Sequence, residues 1–292
     1  MTAEKLDYLR ILVLAENTVP FDRSLLGQHG LSFFIEGKRE QTTLRVIMDV
    51  GQDHGALCHN MKSLNVSTGD VDAIVLSHCH FDHTTGVTAL LAATGKSGVP
   101  VIAHPDIFRT HFFTAPVLRS IGMVQDNSAA ALSAAGGKPF LTRDPLQLMP
   151  GLMTTGEVPR ITPFEEGGLN VFTLKDGHMQ KDNIPDDISL VACVQGRGLV
   201  VMTGCSHAGI INIIKQAVSI FPGEKLYAVI GGLHLYGAPA ERVKRTVEEL
   251  AEFYPALVAA GHCTGFKAQV ELHNALGEQF TPLTAGAEFI IS

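Results

Sequence analysis

The stretch AIVLSHCHFDH, residues 73–83, decides how the rest of the chain is interpreted. Its first four residues are apolar and predict a short buried strand. His78 and His80 follow two residues apart, so that on an extended backbone their side chains point the same way. A turn after this pair would bring Asp82 and His83 to a neighbouring point. Imidazole and carboxylate groups together suit Zn²⁺, Mn²⁺ or Fe²⁺. We therefore expect two adjacent metal ions here, and a histidine-rich surface turn that binds nothing is the alternative.

The composition favours a folded protein that handles small molecules. Of 292 residues, 46% are hydrophobic and 17% are charged, which allows a large core and excludes a disordered chain. The net charge of −7 offers no basic excess to follow a phosphate backbone, so nucleic acid is not expected as a partner. The 13 histidines, against 4 tyrosines and no tryptophan, agree with metal or acid–base chemistry.

The chain shows no signal for export or membrane insertion. Its beginning lacks the basic and apolar regions of a secretory signal, and no apolar run approaches the ~20 residues of a membrane span. The five cysteines are odd in number and contain no CxxC pair, which favours reduced thiols. We expect a cytoplasmic protein without membrane contact. No heptad pattern or long exposed apolar stripe indicates an oligomeric state.

Apolar and β-branched runs alternate with amphipathic segments along the chain. Strands are predicted at 8–15, 31–36, 44–49, 73–76, 99–103, 169–174, 188–194, 198–203, 225–230, 256–260 and 288–291. Helices are predicted at 54–63, 85–93, 210–220, 239–253 and 267–276. No interdomain linker is evident, so we expect one α/β domain over residues 1–292, with two sheets and helices outside them. Residues 106–163 are rich in proline with weak periodicity, and we interpret them as an insertion, either a lid over a site or a surface excursion.

Several motifs resemble those of a known superfamily. HCHFDH at 78–83 resembles the HxHxDH motif of the metallo-β-lactamase-fold metallohydrolases. Met48-Asp49-Val50-Gly51 resembles the strand end that precedes that motif, and Gly261-His262 resembles the late histidine ligand. The resemblance covers nearly the whole chain. It implies a four-layer αββα sandwich with a site at one edge between two sheets.

A narrower resemblance rests on a further set of motifs. They are similar to those of the branch that includes the 7,8-dihydropterin-6-yl-methyl-4-(β-D-ribofuranosyl)aminobenzene 5′-phosphate synthases. The set comprises Phe21-Asp-Arg23, Gly156-Glu-Val-Pro-Arg160, Pro185-Asp-Asp187, Thr203-Gly-Cys-Ser-His-Ala-Gly-Ile210, Gly231-Gly-Leu-His-Leu235 and Gly261-His-Cys-Thr-Gly265. This branch implies a possible transferase activity beside hydrolysis.

The resemblance also suggests the metal ligands. It implies His78, His80, Asp82, His83 and His262. Many superfamily members place a bridging aspartate after the strand predicted at 198–203, where this chain has Cys205 followed by His207. Thiolate is a good ligand for zinc or iron. Either Cys205 binds metal, or His207 reaches the site and Cys205 packs behind it, and we favour His207.

Other residues are candidates for supporting roles. His234 follows a predicted strand, and a ligand, a proton donor to substrate and a core histidine are all open. His178 stands where other branches have a third histidine ligand, and we treat it as a lid or supporting residue. Asp49 is a candidate to orient a ligand histidine, since metal-bound imidazoles usually donate their other N–H to a carboxylate or carbonyl. Arg160 and His104 are candidates for substrate contact, Arg160 because a guanidinium matches an anion in bidentate fashion.

These features predict a metal-dependent hydrolase with two divalent ions, which we expect to be zinc, with manganese or iron as alternatives. A metal lowers the pKa of bound water towards ~7, so that hydroxide can attack an ester, lactone, amide or phosphoester. Asp82 would bind one ion and orient the water, and His234 would assist the leaving group. The competing hypotheses are a pterin-type phosphoribosyl-aminobenzene transfer, an iron-dependent oxidoreductase, and a non-catalytic protein that binds metal or ligand.

Overall fold

The computed structural model describes residues 4–166 and 169–292. Two seven-stranded sheets and one four-stranded sheet make up its β structure. In spatial order the first large sheet contains β18 (Glu288–Ile291), β1 (Tyr8–Ala15), β2 (Ser32–Arg39), β3 (Thr42–Met48), β4 (Ala73–Val75), β5 (Val99–Ala103) and β8 (Gly137–Leu141). The second contains β17 (Phe280–Pro282), β16 (Leu257–Gly261), β15 (Leu226–Gly232), β14 (Gly198–Thr203), β13 (Leu190–Val194), β10 (Leu152–Thr154) and β9 (Gln147–Met149).

The large sheets pack face to face, with helices on both outer faces. Apolar side chains of the two inner faces form one buried cluster, which includes Leu9, Phe33 and Val46 from the first sheet and Leu190, Val200 and Ile230 from the second. Helices α1 (His54–Ser63), α3 (Val87–Thr94) and α4 (Ala129–Ala134) cover the first sheet, and α5 (Ile210–Ile220), α6 (Ala240–Glu252) and α7 (Phe266–Leu276) cover the second. The predicted αββα sandwich is confirmed.

The predicted elements are present, with ends displaced by a few residues at most. The strand predicted at 169–174 is β11 (Phe172–Lys175), which starts later than expected. The turn at 195–197, with Gly196 at its centre, joins β13 to β14 as an antiparallel hairpin. The short helix α2 (Phe81–Thr84) begins directly after His80, where the sequence predicted a turn, and the helix predicted at 85–93 is α3.

Residues 106–163 contain more regular structure than their proline content indicated. Within this segment β8 is an edge strand of the first sheet, and β9 and β10 form an edge hairpin of the second. Pro139 lies in β8, and edge strands are where sheets tolerate proline. The expectation of weak regular structure is therefore wrong for much of this segment, because edge strands carry short and interrupted patterns.

The small sheet belongs to the part of the fold next to the HCHFDH turn. It contains β12 (His178–Lys181), β11, β6 (Phe112–Phe113) and β7 (Arg119–Ser120) in spatial order. Ile121, Val171 and Ile184 form a small buried cluster beneath it, against which Phe81 packs. None of the helices in the described residues is long and apolar enough to cross a membrane.

Candidate metal centre

Strand ends from both large sheets meet at one edge of the sandwich. Strands β3 and β4 run parallel, as do β14, β15 and β16, so that their carboxyl ends share an edge. In sheets of this kind functional groups gather beyond the carboxyl ends of the strands. The side chains placed there are Asp49 after β3, the HCHFDH turn after β4, Cys205 and His207 after β14, His234 after β15 and His262 after β16.

The first group of potential metal ligands consists of His78, His80 and His207. All three residues are buried, and one nitrogen from each lies within 4.8 Å of the others. His80 Nδ1 lies 3.0 Å from His78 Nε2 and 3.2 Å from His207 Nε2. Burial lowers the pKa of each imidazole well below its usual value. The rings are therefore neutral at pH 7 and have lone pairs available for a cation.

A second group adjoins the first and contains a carboxylate. His83 Nε2 lies 3.2 Å from His262 Nε2 and 3.5 Å from Asp82 Oδ2. His262 Nε2 and Asp82 Oδ2 are 3.3 Å apart. Cys205 Sγ lies 3.2 Å from His83 Nε2 and also shares a potential ligand group with His78 and His83. Cys205 is therefore placed between the two groups rather than behind them.

The second group has an excess of negative charge. Burial opposes protonation of His83, but the carboxylates of Asp82 and Asp49 outweigh it and raise the pKa of His83 to about 9. Burial likewise opposes ionisation of Asp82, yet the His83 and His262 rings hold its pKa well below the usual range. A proton is thus drawn into a pocket of imidazoles and a carboxylate. A divalent cation would satisfy the same excess charge, so these residues fit a metal ion.

Asp49 accepts hydrogen bonds that orient the histidines proposed as ligands. Its Oδ2 atom lies 2.7 Å from His83 Nδ1 and accepts a 2.6 Å hydrogen bond from Ser77 Oγ. Ser77 Oγ in turn lies 2.9 Å from His78 Nδ1. Asp49 is fully buried, and its contact with His83 Nδ1 is the kind of contact that an orienting carboxylate makes with a metal-binding histidine.

Two of the histidines proposed as ligands contact residues that the sequence did not single out. His80 Nε2 lies 3.0 Å from His111 Nε2, and His111 Nδ1 lies 2.7 Å from Asp182 Oδ2. On the other side, His262 Nδ1 lies 2.8 Å from Asn17 Oδ1. No motif marked His111, Asp182 or Asn17, and only the high histidine count hinted at His111.

His29 and Cys263 were also missed by sequence reasoning. His29 Nε2 lies 3.3 Å from Asp82 Oδ2, and His29, Asp82 and His262 together form a third potential ligand group. Cys263 directly follows His262, and its Sγ atom groups with Cys205 and His234. Cys263 is part of the GHCTG motif at 261–265, but nothing in the sequence indicated that its thiol lies near Cys205 and His234.

Arg160 and His104 are engaged by the protein itself. Arg160 donates from Nη1 to the carbonyl of His207 at 2.6 Å and from Nη2 to the carbonyls of Asn183 and Ile184. His104 Nε2 lies 3.2 Å from Glu157 Oε2 and 3.1 Å from Arg143 Nη1. Arg160 therefore supports the His207 loop, and His104 belongs to none of the ligand groups found in the described residues.

His178 and His234 have different surroundings. His178 is exposed in β12 and belongs to none of the described ligand groups. The His234 ring packs against that of His207 with 4.1 Å between centroids. His207 and His234 line a cavity of about 310 Å³, whose lining also includes Arg160 and Lys181. His234 is thus at the site, and His178 is not brought to it.

Asp187 is a buried acid beside the His207 loop. Burial raises its pKa to about 7, against the opposing effect of a 2.6 Å hydrogen bond from the Ala208 amide to its Oδ2. The carboxyl is therefore partly protonated near neutral pH. Its neighbour Asp186 accepts a 2.8 Å hydrogen bond from the Cys79 amide. The segment that contains Asp186 and Asp187 is therefore bound to the HCHFDH turn as well as to the His207 loop.

Comparisons with known proteins agree with this geometry. The profile of the family described as "Metallo-beta-lactamase superfamily" matches residues 32–158. A protein of Methanocaldococcus jannaschii named 7,8-dihydropterin-6-methyl-4-(beta-D-ribofuranosyl)-aminobenzene-5'-phosphate synthase is 36% identical over 289 residues, which cover 98% of each chain.

Solved structures share the fold at lower sequence identity. A structure described as a metal-dependent hydrolase of the beta-lactamase superfamily is 22% identical, with a TM-score of 0.79 over 97% of this chain and 99% of that one. The metallo-beta-lactamase fold protein YhfI from Bacillus subtilis is 14% identical, with a TM-score of 0.57 over 98% of this chain and 100% of that one. At these identities the likeness concerns the fold.

Proposed function

Because the chain belongs to the metallo-beta-lactamase superfamily, we propose that it is a metal-dependent enzyme that hydrolyses a small molecule. The bond broken is an ester, lactone, amide or phosphoester. The observation that carries the proposal is the pair of adjoining ligand groups at one edge of the sandwich, one of neutral imidazoles and one with Asp82. A cytoplasmic location agrees with the free cysteines in the structure.

Each ligand group would hold one divalent ion. His78, His80 and His207 would hold the first, and Asp82, His83 and His262 the second. Such ions supply a nucleophilic hydroxide at neutral pH and neutralise charge that develops on substrate oxygen. Imidazole and carboxylate ligands favour zinc, with manganese or iron as alternatives.

The surrounding residues keep this centre rigid. Asp49 fixes the ring of His83, and Arg160 fixes the backbone carbonyl of His207. Preorganised ligands of this kind lower the cost of holding a reacting group in position. Asp82 lies at the junction of His83, His262 and His29, where its carboxylate can orient the attacking water.

The cavity beside His207 and His234 is the proposed position of the substrate. Its lining includes the cations Arg160, Lys181 and Arg242 and the carboxylates of Glu166 and Asp182. Asp182 is already paired with Arg109 and His111, so the positive charge that remains favours a substrate with a negatively charged group. The His234 ring faces the same cavity, where it can donate a hydrogen bond to a leaving group. Arg160 lines the cavity, but its guanidinium donates hydrogen bonds to backbone carbonyls. We therefore assign Arg160 to the support of the His207 loop rather than to catalysis.

A second candidate function is the transfer reaction indicated by the name of the M. jannaschii relative. That protein is named as the synthase of a compound that contains a dihydropterin-6-methyl unit and a ribofuranosyl-aminobenzene phosphate, and 36% identity over 98% of the chain favours the same chemistry here. In this reaction the aromatic compound, rather than water, would form a bond to the methyl carbon of the dihydropterin, and the activating group on that carbon would leave with its bonding electrons. The same ligand groups would serve both reactions.

An assay of the metal-loaded protein separates these functions. It would be tested with aryl ester, lactone, amide, phosphomonoester and phosphodiester substrates, and with the aminobenzene phosphate plus an activated dihydropterin. Turnover that is lost in His78→Ala and kept in His273→Ala, whose residue is exposed on α7, supports the proposal. Coupling without hydrolysis selects the transferase. Bound metal without any turnover contradicts an enzymatic function.

A further inference from the structure

A cluster of two thiols and one imidazole lies beside the proposed metal centre. One ligand atom each of Cys205, His234 and Cys263 lies within 4.8 Å of the other two. Cys205 is 3% exposed, and the other two residues are half-buried. We propose that Cys205, His234 and Cys263 form a further metal-binding site, which takes a soft divalent ion such as Zn²⁺ or Fe²⁺. This site goes beyond the proposed function. Of its three residues, Cys205 also contacts His83 in the centre described above, and His234 also lines the proposed substrate cavity.

The first argument is the chemistry of the three side chains. Thiolate sulfur and imidazole nitrogen are ligands for zinc and ferrous iron, whereas magnesium, calcium and manganese prefer oxygen. Each thiol would release its proton to solvent when its sulfur binds the ion. Two thiolates and one neutral imidazole then balance the charge of one divalent ion. Three protein ligands leave one position open, as in zinc sites that bind a further small ligand.

The second argument is an unsatisfied polar atom. His234 Nδ1 is buried and has no hydrogen-bond partner among the described residues. A buried ring nitrogen without a partner is costly, and such a group in a native protein calls for a bound ligand or a functional role. An ion bound by this cluster would give the His234 ring a partner, and the other ring nitrogen would remain available to the cavity beside His207.

The third argument is that the backbone is shaped to bring these side chains together. His234 has a φ of 45° and His262, next to Cys263, has a φ of 51°, both in the left-handed region that non-glycine residues rarely adopt. Such conformations persist where the surrounding structure enforces them and cluster at functional sites. A Cβ at Gly232 would lie 2.6 Å from Cys263 Sγ, so the glycine leaves room for the sulfur.

Hydrogen bonds join the two loops that carry His234 and Cys263. The His234 amide donates to Cys263 Sγ at 3.3 Å, and the Leu233 amide donates to Thr264 Oγ1 at 3.1 Å. The loops after β15 and β16 are therefore fixed against each other. Cys205 Sγ contacts His83 on its other side, so its thiolate can be shared by two neighbouring ions.

The competing explanation is a pair of thiols satisfied by the protein alone. In that case Cys263 Sγ donates to the carbonyl of Cys205 at 3.4 Å and accepts from the His234 amide, and no ion binds there. This explanation leaves His234 Nδ1 without a partner. It predicts that cysteine ligation, if any, is limited to Cys205.

Cobalt substitution tests the site without relying on turnover. The full chain would be loaded with Co²⁺, and the near-ultraviolet thiolate-to-cobalt charge-transfer absorption would be recorded with the number of ions bound per chain. We expect this absorption in the wild type, a loss of about half in Cys263→Ser with one fewer ion per chain, and a similar loss of binding in His234→Gln. Cys58→Ser, in half-buried α1, is the matched control and should match the wild type.

X-ray absorption of the zinc-loaded wild type keeps the test valid if a variant fails to fold. Sulfur from two cysteines at the usual Zn–S distance of ~2.3 Å would support the site. An unchanged absorption and ion count in folded Cys263→Ser would overturn it, as would the absence of sulfur scattering in the wild type. Because neither readout depends on catalysis, failure of this site is distinguishable from failure of the proposed hydrolase or transferase activity.

Discussion

His111 Nε2 lies 3.0 Å from Nε2 of His80, whose Nδ1 faces His78 and His207. Asp182 accepts from the other side of the His111 ring at 2.7 Å and is itself held by Arg109 at 2.6 Å. The carboxylate fixes the proton of His111 on Nδ1, so His111 Nε2 accepts a hydrogen bond from His80. His80 is thereby held in the tautomer that leaves Nδ1 free for a metal.

Removing this support should weaken metal binding. We expect His111→Ala to lower the affinity for the first ion about 10- to 100-fold, the range typical of contacts that orient ligands. Competition with a chromophoric chelator measures the affinity. His273→Ala, at an exposed position of α7, is the control. Equal affinity in His111→Ala and the wild type would show that the contact is dispensable.

Asp49 should control the charge of His83 in the metal-free protein. We expect Asp49→Asn to lower the pKa of His83 from about 9, because one of the two carboxylates that raise it is removed. An NMR titration of labelled histidines after chelation of the metal measures this pKa. Asp22→Asn, at an exposed position whose backbone asparagine also tolerates, should leave it unchanged. The same pKa in Asp49→Asn would contradict the assigned contact.

Arg160 should matter for structure more than for substrate recognition. We expect Arg160→Gln to lower the free energy of unfolding by about 1 kcal/mol, since hydrogen bonds to the carbonyls of His207 and Ile184 are lost. It should also lower the affinity for the first ion. Urea unfolding and chelator competition measure the two effects, with Arg39→Gln on the surface as control. A rise in KM alone would instead indicate substrate contact.

The HCHFDH turn was predictable because its ligands are neighbours in sequence and follow a strand. The residues that support it were not, since they come together only in three dimensions. His111 is 31 residues from His80, and Asp182 is a further 71 residues along the chain. Two sheets with helices outside them followed from strand and helix patterns, and the four-layer αββα arrangement followed from the family resemblance. Strand β8 and the β9–β10 hairpin were hidden by proline and short length. His178 was a candidate because other branches of the superfamily place a histidine ligand there, but β12, the strand that carries it, is exposed.

The buried carboxyl of Asp187 should make stability depend on pH. Its pKa rises from 3.8 in the unfolded chain to about 7 in the fold. The folded state therefore binds the proton of Asp187 more tightly than the unfolded chain does. The stabilisation that this proton gives the folded state is lost as the pH rises from about 4 through 7. We expect a loss on the order of 2 kcal/mol between pH 5 and pH 7.5, because each pKa unit corresponds to ~1.36 kcal/mol.

Comparison with Asp187→Asn isolates this contribution from that of the histidines. Urea unfolding of the chelated proteins at both pH values gives the difference between variant and wild type. This difference should shift in favour of the variant at the higher pH. A difference that is the same at both pH values would show that Asp187 does not titrate in this range.

The most direct test of the central claim is the metal content of the protein purified without added metal or chelator. Elemental analysis would be applied to the wild type and to the double variant His83→Ala/His262→Ala, followed by reconstitution with zinc, manganese and iron. The account predicts at least two divalent ions per chain in the wild type and about one fewer in the variant. No bound ion after reconstitution, or an unchanged content in the variant, would contradict the assignment of these residues as metal ligands.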